Sequence, residues 1–159
     1  MDIAITLARY LVDRHVAYEL VLDPHTGTAL ASTVASGLPA DSDVKAVVLK
    51  GGDGFMLGLL PASRHIQFDD LPRLVGNDVD IASEEQIETL FLDCKPCSVP
   101  ALGAAYGLNV VVDDSLAQQP DLYSEDGDHA HLVHIGGASF QKLMQHARHG
   151  RFTDTPKAT

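Results

Sequence analysis

Apolar positions along the chain change period several times, and each change marks an element. Ile3, Ala4, Leu7, Ala8 and Leu11 recur every three or four residues, which predicts an amphipathic helix over 2–14. Residues 16–22 turn to β-forming side chains and stop at Asp23-Pro24. Thr26 or Thr28 can cap a second helix over 28–37, which Gly37 would end. Two apolar β-forming runs, 44–49 and 55–60, flank Lys50-Gly-Gly-Asp-Gly54 and predict a hairpin. A short strand at 66–68, a helical turn at 71–75 and a strand at 79–82 follow. Ser83-Glu-Glu-Gln86 has the form of a capping box, and Ile87, Leu90 and Phe91 share one face behind it. Residues 108–112 form the most continuous buried-strand pattern. Residues 122–124 and 130–135 are set to pair across Glu125-Asp-Gly-Asp128. A helix is predicted over 139–148, and the chain after Gly150 reads as a frayed tail.

Hairpins mixed with isolated helices predict an α+β fold with a mixed, mostly antiparallel sheet and surrounding helices. The 159 residues suffice for one domain, taken as 1–150 with 151–159 as a disordered tail. The composition, 45% hydrophobic and 21% charged, is ordinary for a globular protein. No run approaches the roughly 18 apolar residues of a membrane span, and the N-terminus lacks the parts of a signal peptide. A cytoplasmic monomer without a membrane role is the expectation.

Charge narrows the partners. The net charge of −11 opposes a long nucleic-acid track, whose affinity would come from Lys and Arg at phosphates. From 96 to 141 there is no Lys or Arg, whereas Asp113, Asp114, Asp121, Glu125, Asp126 and Asp128 fall there. Lys45, Lys50, Arg64, Arg73 and Lys95 lie mid-chain, so a small nucleic-acid end could meet a local basic patch.

Several residues could carry chemistry. Lys45 lies inside a predicted strand. It reads either as an exposed strand lysine or as a cation fixed beside a pocket, aimed at a carbonyl, carboxylate or phosphate. Cys94-x-x-Cys97 could be a dithiol redox pair or half a zinc site completed by His129, His131 or His134, although two reduced loop thiols are commoner in a cytoplasmic protein. His129 and His131 share a strand face and His134 points away; together they read as a surface strand or as a contact at a pocket rim. His15, His65, His146 and His149 read as surface residues. Asp113-Asp114 reads as an N-cap at the strand end. Neither a Gly-rich phosphate cradle nor a Gly-x-Ser-x-Gly elbow is present. No cofactor or metal is expected.

These blocks, in this order, resemble the YbaK/prolyl-tRNA synthetase-associated editing domain family, over nearly the whole chain from about His15 to Met144. The blocks are His25-Thr-Gly-Thr28-Ala, the strand with Lys45, the strand ending at Pro61, Leu90-Phe-Leu-Asp-Cys94, Gly103-Ala-Ala-Tyr-Gly107, Val110-Val-Val-Asp113-Asp-Ser-Leu116 and Gly127-Asp-His129. The resemblance implies aminoacyl-tRNA deacylation: hydrolysis of the ester between an amino acid and the terminal adenosine of a mischarged tRNA. It implies the acceptor end as partner and Lys45 as the residue that positions substrate. A loop matching Cys97, Ser98, Val99, Pro100 and Ala101 would turn backbone N–H groups to the substrate carbonyl. His25, Thr28, Gly127 and His129 would bind substrate, with His129 lining the amino-acid pocket. The family's loop is Gly-x-x-x-Pro, and here Cys97 replaces the Gly and Ala101 the Pro. A module that keeps the fold without catalysis is therefore the alternative, and a Cys94–Cys97 redox protein a further one.

Overall fold

A computed structural model describes residues 4–22, 42–52, 54–94, 99–125, 127 and 131–154. The first helix, α1, spans Ile5–Asp13 and buries Leu7 and Leu11. Its N-cap, Ala4, offers no side-chain acceptor. The first-turn N–H of Thr6 instead donates to Asp93 Oδ2 at 2.9 Å, so a distant carboxylate satisfies an orphan donor. Strand β1 (Glu19–Leu22) follows. The predicted helix over 28–37 lies outside the described residues.

Strands β2 (Val44–Gly51) and β3 (Gly54–Pro61) form the hairpin expected from the Gly-rich turn, with Gly51 opposite Gly54. Helix α2 (Leu71–Val75) and strand β4 (Val79–Ile81) come next. Helix α3 (Glu84–Leu90) has both bonds of its capping box, from Gln86 N–H to Ser83 Oγ and from Ser83 N–H to Gln86 Oε1. Strand β5 (Asn109–Asp113) is the buried strand expected from its apolar run. Strands β6 (Asp121–Glu125) and β7 (His131–Gly136) pair across the acidic turn.

Three expectations are corrected. The closing helix, α4, spans Gly137–Leu143 rather than 139–148, and Arg148–Gly150 forms strand β8. The open edge of β5 takes up β8 in parallel register, a pairing no local pattern announces. Residues 66–68 are not a strand: Ile66 makes a single bridge to Thr153, and Phe68–Asp70 is a 3-10 turn. The tail does not begin at 151. Phe152 is fully buried, its N–H donates to Asp113 Oδ1 at 3.0 Å, and Asp154 binds the backbone and ring of His65. An aromatic side chain that fills a core cluster holds these residues in place.

The fold is thus α+β with mixed sheets. Among the described residues one sheet has three antiparallel strands in the order β1-β7-β6, and the other five in the order β4-β2-β3-β5-β8. In the larger sheet β2 pairs antiparallel with β3 and β4, and β5 lies parallel to both β3 and β8. Strand alternation gives that sheet two apolar faces. Val44, Val48, Leu57, Leu59, Val110 and Val112 enter a core shared with α1, the smaller sheet and α4. Leu49, Leu60 and Val111 enter a second core with Leu71 and Phe152. A parallel bridge between Asp43 and Tyr123 ties β6 to the start of β2 and joins the sheets. Among the described residues no helix is long and apolar enough to cross a membrane.

Candidate active site

Lys45 is the second residue of β2, exposed, with Leu60 as its register partner. Alternation puts it on the face of Val47 and Leu49. Its backbone is held along an eight-pair ladder to β3, so the ammonium stands on a rigid base. Asp43 is buried, and its carbonyl accepts from the N–H of Ala62 at 2.8 Å. Asp43 makes a single parallel bridge to Tyr123, which ties the start of β2 to β6.

The segment after α3 begins at Phe91, which is buried and tilted against Tyr106 with ring centroids 4.7 Å apart. Tyr106 donates to Asp93 Oδ1 at 2.9 Å and lies 3.3 Å from Cys94 Sγ. Burial pushes Asp93 upward, but hydrogen bonds from Thr6, Tyr106 and Cys94 outweigh it and hold the carboxyl below its ordinary value. Burial, then the neighbouring Cys94 and Asp93, raises the Tyr106 phenol, which stays protonated as a donor. Asp93 therefore clamps the start of the Cys/Pro loop to both Tyr106 and α1. Val99 is half-buried, while Pro100 and Ala101 are buried. Cys97 and Ser98 lie outside the described residues, as do His25, Thr28 and His129.

Gly127, in the turn between β6 and β7, has φ near +95°, where a side chain is strained. A Cβ there would lie 2.8 Å from Ala4 Cβ and 3.0 Å from Cys94 Sγ. The turn thus packs against both the entry to α1 and the start of the loop. Of the site residues expected from sequence, the structure places Lys45 opposite Leu60 on the face of Val47 and Leu49, and Gly127 against the residue that opens the Cys/Pro loop. His134 belongs to a different arrangement. It stacks on Tyr123 at 4.6 Å, with Nε2 2.9 Å from Asp121 Oδ1 and Nδ1 3.5 Å from Glu19 Oε2. Burial, with the charges of Asp121 and Glu19, raises the Tyr123 phenol. Asp113 caps the 3-10 turn that follows β5, as expected. Its Oδ2 accepts from the N–H and hydroxyl of Ser115, and its Oδ1 from Phe152 N–H. Among the described residues no cluster of three or more His, Cys, Asp or Glu side chains could hold a metal ion.

A polar cavity of about 380 Å³ opens where β3 and β5 end, between Arg64, Arg151, Asp114, Ser115 and Gln118. Sequence reasoning missed it. Arg64 and Arg151 are far apart in the chain, and Arg151 fell within the expected tail.

A family model, the aminoacyl-tRNA editing domain, matches residues 23–143. No curated protein matches the chain. Among solved structures, that of a hypothetical protein superposes with a TM-score of 0.83 at 16% identity, covering 94% of this chain and 99% of the other. A candidate trans-editing enzyme for prolyl tRNA synthetase gives 0.80 at 22% identity, covering 96% and 97%. A candidate signal transduction protein from Marinobacter aquaeolei VT8 gives 0.78 at 13% identity, covering 97% of this chain and 31% of that larger one. At these identities the superpositions show a shared fold.

Proposed function

This chain belongs to the aminoacyl-tRNA editing domain family, and from that premise we propose that it is a trans-editing deacylase acting on the acceptor end of mischarged tRNA. The observation that carries the reading is the family match across 121 residues (23–143), which spans Lys45, the Cys/Pro loop and Gly127. An exposed lysine on a rigid strand supports it, as does the structural neighbour described as a trans-editing enzyme.

An aminoacyl ester is already activated, so little is asked of side chains. Lys45 orients the acceptor end by charge. Water adds to the ester carbonyl, and the carbonyl oxygen takes up negative charge. Backbone N–H groups of the Cys97–Ala101 loop stabilise that oxyanion, an effect worth about 3 kcal/mol per well-placed donor. Collapse expels the ribose oxygen, which leaves with a proton, and frees the amino acid. In this reading His129 lines the amino-acid pocket, and His25, Thr28 and Gly127 complete the substrate contacts.

The test is ester loss from alanyl-, seryl- and cysteinyl-tRNA carrying the wrong amino acid, followed as acid-precipitable label. Hydrolysis of at least one above the buffer rate is expected, and none for all three overturns the reading. A second reading, a binding module without turnover, is favoured by Cys97 and Ala101 at the positions of the family's Gly and Pro. The neighbour from a signal transduction protein, which uses this fold as one part of a longer chain, also favours it. If that reading holds, the parent protein is inactive and C97G/A101P gains deacylation.

A further inference from the structure

We infer that the polar cavity at the ends of β3 and β5 is a phosphate-binding site, and that the phosphate it takes belongs to the tRNA backbone beside the acceptor end. The second half of that statement rests on the editing reading; the first does not. The cavity's volume, about 380 Å³, lies in the range of small-ligand sites, roughly 300–1,000 Å³. Arg64 and Arg151 line it, and neither forms an ion pair among the described residues. Arg64 Nε is buried and makes no hydrogen bond among the described residues. A buried N–H without an acceptor is costly, and an anion oxygen would supply one.

Both arginines are fixed through their backbones. Arg64 closes a turn by donating its N–H to Pro61 O at 3.0 Å. Arg151 sits between Gly150, the β-partner of Asp113, and the buried Phe152. Asp113 also lines the cavity, its carboxylate oriented by three neutral donors, the N–H and hydroxyl of Ser115 and the N–H of Phe152. Gln119 contributes as well: its Oε1 accepts from Ser42 Oγ, which leaves the carboxamide N–H groups as donors at the cavity wall. Asp113 and Asp114 are the opposing charges, and they moderate the affinity of the site for any anion. The other arginines of this edge are occupied, Arg73 by Asp70 and Arg148 by Leu74 O. Position links the cavity to the proposed chemistry, because its wall residue Pro61 is the register partner of Val44, next to Lys45. In a chain of net charge −11, a two-arginine pocket there gives a polyanion one defined point of attachment.

The test is NMR of the arginine Nε–H resonances in the intact protein, titrated with inorganic phosphate and with uncharged tRNA. Both titrants should move Arg64 and Arg151 and leave Arg73 in place. Half-saturation by tRNA at a concentration at least tenfold below that of phosphate assigns the site to the nucleic-acid backbone. Equal or tighter saturation by free phosphate keeps the anion site and overturns the tRNA assignment. Silence of both arginines to both titrants overturns the inference entirely. As a second measure, Arg151→Gln, at an exposed position, should weaken tRNA binding about five- to tenfold at low salt and reduce the salt slope by about one. Asp114→Asn should tighten it, and weaker binding by that variant counts against the site. None of these readouts needs hydrolysis. Responsive arginines in a protein that spares every ester refute the deacylase reading alone, and silent arginines in an active protein refute the pocket alone.

Discussion

Two hairpins carry the candidate chemistry, and they are built on different principles. The β2–β3 hairpin pairs all eight residues of each strand and closes through Gly51 opposite Gly54. Its turn faces open space: a Cβ at Gly52 or Gly54 would meet nothing within 4 Å. The β6–β7 hairpin pairs five residues, and its turn is docked, with Gly127 pressed against Ala4 and Cys94. The first hairpin is specified by its own sequence and offers Lys45 a stiff support. The second owes the placement of its turn to two other segments, α1 and the loop after α3. A free turn tolerates change, whereas a docked turn transmits it to whatever it touches.

The sharpest way to separate the two roles is Lys45→Ala. In the deacylase reading it lowers kcat/KM by about 100-fold, of the size expected when a group that orients the reacting ester is lost. The thermal midpoint should stay put, because the side chain is exposed. Unchanged turnover would remove Lys45 from the site. Gly127→Ala should have the next largest effect. Positive-φ strain and the collision with Ala4 and Cys94 together predict about 2–4 kcal/mol of destabilisation in denaturant melts. Gly54→Ala has the strained φ of +122° without the collision, so about 1 kcal/mol is expected. Gly52→Ala has neither and should stay within about 0.5 kcal/mol. If Gly127→Ala matched Gly52→Ala, the contrast between the hairpins would fail.

The smallest effect concerns the clamp under the docked turn. Asp93→Asn should cost about 0.5–1 kcal/mol at neutral pH, a value kept low because Asp93 is solvent-exposed. The sign follows from its lowered pKa. Stability from this carboxylate is full above the unfolded value of about 3.9 and is lost as pH falls through the lower folded value. Urea melts of the two proteins should therefore differ at pH 7 and converge in strong acid. A gap that widened towards acid would mean that Asp93 is not the acceptor of Thr6 and Tyr106.

Elements with strong local rules were legible from the residues alone. The capping box at Ser83–Gln86, the Gly-rich turn after Lys50, the apolar run into Asp113 and the acidic turn before β7 all appear where their patterns put them. What failed was long-range. Arg148 looked like the end of a helix and His149-Gly150 like a link to a tail, because nothing nearby marks them as the parallel partner of β5. Phe152 looked like part of a tail, because its burial depends on Leu49, Leu60 and Val111 from distant strands. The cavity between Arg64 and Arg151 was invisible for the same reason, since its two cations meet only once β8 has docked. At the candidate site, Lys45 and the Gly127 turn are singled out only by the resemblance to a family pattern. The clamp of Asp93 on Tyr106 and Thr6 was not, because hydrogen-bond partners 13 and 87 residues away leave no periodic trace.

By itself the sequence determined the α+β class, the local turns and caps, and the order of blocks that places this chain among aminoacyl-tRNA editing domains. Tertiary structure alone decided which side chains meet: Gly127 on Cys94, Asp113 on Phe152, and Arg64 with Arg151 around one cavity. The physical reason is range. Periodicity and capping act over a few residues and are written where they act. Strand docking and side-chain burial bring together residues whose separation along the chain carries no signal of their contact.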